Sequence, residues 1–99
     1  MNAEELRKKL TDAREEALRV GDSPLRADAL ADRLPALARD VAASDATDEV
    51  KARIGAELRD AERVLRRDDD GREAARHLQL ALRWVEDRPR RPSPFLDDD

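Results

Sequence analysis

The sequence predicts an all-α protein, a small antiparallel four-helix bundle, from 99 residues. Three observations carry that reading. Apolar residues recur at alternating spacings of three and four in four separate segments, which is the helical period and not the strand period of two. Each segment begins with a residue that can cap a helix and closes on a connector or a breaking signal. The connectors between segments are short, so neighbouring helices run antiparallel.

The first helix is expected over residues 3–20. Asn2 caps it and Glu5 stands three residues on, in the place that bonds back to the cap. Leu6, Leu10, Ala13, Ala17 and Val20 form a seam like that of a coiled coil, Leu18 lies off it, and Gly21 stops the helix. The second helix, 24–42, starts at Ser23-Pro24, a cap followed by proline at the first helical position. Its stripe is Ala27, Leu30, Leu34, Leu37 and Val41. Pro35 lies inside that stripe and is expected to kink the helix rather than divide it, because the stripe keeps phase across it.

Residues 43–47 connect to the third helix, 48–67, capped by Asp45 or Thr47 and buried through Val50, Ile54, Leu58, Ala61 and Leu65. Gly55 within it suggests a close helix crossing. Arg66 and Arg67 suit the negative end of the helix dipole.

The fourth helix, 71–88, is the segment that the others must cover. Asp70 caps it with Glu73 at the box position, and Gly71 takes the first helical place. Ala75, Leu78, Leu82 and Val85 make the stripe, joined by Ala74 and Ala81. Trp84 sits at the stripe edge, and Leu80 points roughly 120° or more away from its centre at about 100° per residue. The apolar arc is therefore wider than one neighbouring helix needs. Pro89 ends the helix and opens a flexible tail, 89–99, rich in Pro, Arg and Asp, whose apolar anchor is Phe95-Leu96. The organisation is thus one helical domain, 1–88, and a tail.

Composition narrows the function. Charged residues are 44%, while Leu, Ile, Val and Phe together are 20 of 99, so the core is thin; 17 Ala residues fill it. A second copy or a protein partner helps to stabilise such a core. Net charge is −4, and the acidic excess is spread evenly: 8 basic and 10 acidic groups in residues 1–45, 12 and 14 in 46–99. No half is basic, which argues against nucleic acid as a partner. Arg59, Arg63, Arg66 and Arg67 form the one local basic strip, interrupted by Asp60 and Glu62. There is no Cys, no apolar leader segment and no long apolar run, which points to a cytoplasmic chain with no membrane contact.

Tests for chemistry mostly fail. Zinc lacks ligands beyond the single His77, a hydrolytic triad lacks support, no glycine-rich phosphate loop occurs, and the Asp68–Gly71 turn lacks the terminal ligands of a calcium loop. No metal or other cofactor is expected. Arg72 and His77 stand five apart, an Arg-x4-His spacing that resembles the signature of HEPN-type ribonucleases, helical bundles that use Arg and His in a dimer cleft. The resemblance covers six residues. It departs from the family pattern at Glu73, where Asn, Asp or His is usual, and it implies Arg72 and His77 as catalytic residues of an alternative reading. The leading expectation is a non-enzymatic interaction or self-association module, docking through Leu80 and Trp84 and, in the tail, Phe95 and Leu96. A nucleic-acid-associated regulator is the other alternative.

Overall fold

The computed structural model describes residues 2–87, and these form four helices: α1 Ala3–Leu18, α2 Pro24–Ala42, α3 Asp48–Asp68 and α4 Gly71–Asp87. Among the described residues there is no strand. The expected tail, with Phe95 and Leu96, lies outside the described residues.

The caps form where hydrogen-bond chemistry places them. Asn2 and Glu5 exchange both bonds of a capping box, at 2.9 and 3.1 Å. Ser23 accepts from the Arg26 amide, and Pro24 follows at the first helical position. Thr47, rather than Asp45, caps α3 by accepting from the Val50 amide. Asp70 accepts from the Glu73 amide at 3.0 Å, but the Glu73 carboxylate turns to Arg76 instead of back to the cap.

Two helix ends differ from the sequence reading, and one helix interior agrees with it. Helix α1 stops at Leu18 with Arg19 as its C-cap, two residues early, and Val20 just past that end is buried in the core, 2% exposed. Gly21 then takes φ +55, the left-handed conformation that its missing Cβ permits. Asp69 closes α3 in the same region, at φ 52. Helix α2 runs unbroken through Pro35.

The helices close a ring in chain order, each antiparallel to the next. Helix α4 packs broadly on α1 and on α3, α3 packs broadly on α2, and α1 touches α2 far less. Leu6, Leu10, Leu30, Leu34, Ile54, Leu58, Leu65 and Leu78 fill the centre with essentially no solvent contact. Burying a side chain of that size contributes about 1.5–3 kcal/mol.

The glycine expected to mark a close crossing does not. A Cβ at Gly55 meets nothing within 4 Å, whereas one at Gly71 strikes the Ala17 carbonyl oxygen and lies 2.6 Å from the Val20 Cβ. The close approach is therefore between the first turn of α4 and the end of α1.

Candidate functional site

The two outer seams of the bundle are built differently. On the α3–α4 seam, Arg53 lies over the Trp84 ring, 5.4 Å from its centroid, within the range of a cation–π contact. Trp84 packs against the core edge and is half-buried, as is Leu80 one turn before it. The tryptophan flank is thus partly covered by the chain's own side chains. Next along the seam, His77 Nδ1 stands 2.8 Å from Glu57 Oε1, and His77 Nε2 stands 3.6 Å from Glu73 Oε2. The His77 and Glu57 side chains keep only 15% and 22% exposure. Ligand atoms of Glu57, Asp60 and His77 lie within 4.8 Å of one another.

On the α1–α2 seam the facing groups are polar. Lys9 reaches Asp40 at 3.0 Å, and the Arg26 guanidinium donates to the Arg19 carbonyl at 3.0 Å. Between these two links a groove of about 400 Å³ opens, with Ala13, Leu30, Leu34 and Leu37 among its lining and Lys9, Asp12, Asp32, Arg33 and Asp40 at its rim. Leu25, on the outer face of α2, is 81% exposed, and Leu18, at the end of α1, is 59% exposed. Leu25, Ala29, Asp32 and Ala36 recur at 4, 3 and 4 along α2, so they share one strip. All four are exposed.

Of the sequence-marked residues, the structure brings Leu80, Trp84 and His77 onto one face and leaves Arg72 elsewhere. Arg72 lines a cleft at the end of the bundle with Leu18, Asp22 and Asp68. His77 turns instead to α3. Positions five apart on a helix are separated by roughly 140°, so the Arg-x4-His pair does not converge within this chain. Two members of the basic strip are engaged: Arg63 pairs with Asp60, and Arg66 bonds Glu62 and Asp32, both at 3.0 Å. Those bonds, Glu62 first and then Asp32, hold the Arg66 guanidinium above its ordinary pKa. Hydrogen bonding from Arg76 holds the Glu73 carboxyl below its ordinary value.

Leu25 and the Glu57–Asp60 pair were not singled out by the sequence. Leu25 had a usable signal, since it falls out of phase with the α2 stripe, as Leu18 does with that of α1. Glu57 and Asp60 stand one helical turn apart, but nothing local pairs them with a histidine on another helix. No helix among the described residues is long and apolar enough to cross a membrane. Comparison with protein-family models, curated proteins and solved structures gives no match to this chain.

Proposed function

We propose that this chain is a non-enzymatic helical module that binds a second copy of itself through the outer strip of α2 and the groove beside it. The observation that carries the reading is the thin α1–α2 seam, where the exposed strip of Leu25, Ala29 and Ala36 runs beside a groove with a mixed-charge rim. A two-fold contact sets the same patch against itself, so a rim of one sign repels its mate. Lys9 and Arg33 alongside Asp12, Asp32 and Asp40 supply both signs on one patch. Leu25 adds a large aliphatic group that the monomer leaves in water, and Ala29 and Ala36 are small enough for a second helix to come near.

The size of the surface sets the strength. Helix α2 has 19 residues, and at about 1.5 Å per residue it offers an edge of roughly 28 Å. That is a small interface, of the class associated with weak, reversible contacts. The separation of Arg72 from His77 gives the ribonuclease alternative no support, and the paired Arg63 and Arg66 give none to nucleic-acid binding.

Light scattering coupled to size exclusion, on the full chain at roughly 0.1–1 mM where weak contacts populate, tests the reading. The parent is expected to shift toward twice the chain mass as concentration rises. Leu25→Glu and Ala36→Glu are expected to stay at the single-chain mass with an unchanged helical circular-dichroism spectrum. A parent that holds the single-chain mass throughout refutes self-association. Dimers that survive both substitutions but dissociate with Trp84→Ala move the contact to the α3–α4 seam and refute the α2 surface.

A further inference from the structure

We infer that the α3–α4 seam holds a binding site for a divalent transition-metal ion, formed by Glu57 and Asp60 of α3 and His77 of α4. This inference is independent of self-association through α2. Facing helices build metal sites from pairs of residues one turn apart. Here α3 presents Glu57 and Asp60 at i, i+3, and α4 presents Glu73 and His77 at i, i+4. The donor atoms of Glu57, Asp60 and His77 already converge within 4.8 Å. Two ligands of one tetrahedral zinc ion stand roughly 3.4 Å apart, so the widest gap among these donors has to close by roughly 1.4 Å on binding.

The imidazole itself points to a cation. A neutral ring has one N–H and one lone pair. His77 has a carboxylate oxygen beside each ring nitrogen, at 2.8 and 3.6 Å. Whichever nitrogen carries the proton, the other aims a lone pair at an anion. A metal ion on that side turns the repulsion into shared coordination, and the remaining N–H donates to the other carboxylate, which orients the ring as outer carboxylates do in zinc sites. One imidazole among carboxylates suits zinc, cobalt or nickel better than calcium or magnesium, which favour all-oxygen shells. Arg63 on Asp60 and Arg76 on Glu73 are the local competitors. Both arginines are largely exposed, so their stems can swing away, and their charge keeps the affinity modest.

The test uses the full chain without a histidine tag, at neutral pH, titrated with zinc by calorimetry and with cobalt by fluorescence. Trp84 is the chain's only tryptophan, and seven residues along α4 place it about 10 Å from His77 in rise, close enough for cobalt to quench it. One saturable ion per chain is expected, with affinity falling about tenfold or more in His77→Gln and in Glu57→Gln, and unchanged in Asp28→Asn on α2. Circular dichroism checks that both variants remain helical. Absence of saturable binding up to roughly millimolar metal refutes the site. Binding that is equally strong in His77→Gln, or equally weakened in Asp28→Asn, refutes it as well.

Discussion

The α3–α4 seam and the α1–α2 seam are made from the same kinds of residue, yet one closes and the other stays open. At the α3–α4 seam a tryptophan and an arginine stem lie across the gap, and the polar groups next to them have partners on the facing helix. At the α1–α2 seam the edge positions are Lys9 and Asp12 opposite Arg33 and Asp40. Charged edges gain nothing from being drawn together out of water, and an exposed pair such as Lys9–Asp40 contributes only about 0–1 kcal/mol. On its other side α1 is held close, because Gly71 lets α4 press against Ala17 and Val20. Apolar edges, rather than apolar stripes alone, decide which seam of a small bundle is sealed.

Substitutions can break this contrast, beginning with the core. Leu78 is fully enclosed and Leu37, at the groove, is 8% exposed. Leu78→Ala is expected to cost about 2–5 kcal/mol, and Leu37→Ala to fall at the low end, about 2 kcal/mol, because its cavity opens to solvent. Urea unfolding followed by circular dichroism measures both; equal losses erase the distinction between the seams. Gly71→Ala comes next, at about 1–3 kcal/mol of destabilisation, since the new methyl group meets the Ala17 carbonyl and Val20. Gly55→Ala is expected to have the opposite sign, raising stability by about 1 kcal/mol, because the helix gains propensity and nothing stands in the way. Thermal melts of the two glycine variants shifting in the same direction contradict the assignment of the close approach to Gly71.

Much of the fold was legible because helical signals are local. Asn2, Ser23, Thr47 and Asp70 all cap where their sequence context suggests, and every residue of the four proposed stripes is buried. Continuity through Pro35 followed from stripe phase alone. The errors come from contacts between distant parts of the chain. The reading of Gly55 as a crossing failed because close approach depends on what lies opposite. The surroundings of the candidate site residues were the least legible. Leu80 and Trp84 are half-buried, and nothing in the sequence places Arg53 over the indole. Nothing in the sequence brings His77 beside Glu57 and Asp60, which sit twenty and seventeen positions earlier, on another helix. The thinness of the α1–α2 seam is a property of two edges meeting, and neither edge displays it alone.

The most direct test of the open seam as the contact surface is a dilution series followed by two-dimensional amide NMR. Self-association through α2 predicts concentration-dependent shifts at Leu25, Ala29, Arg33 and Ala36, with the amides of Leu80 and Trp84 unmoved. Spectra that superimpose at all concentrations, or shifts confined to Leu80 and Trp84, contradict it.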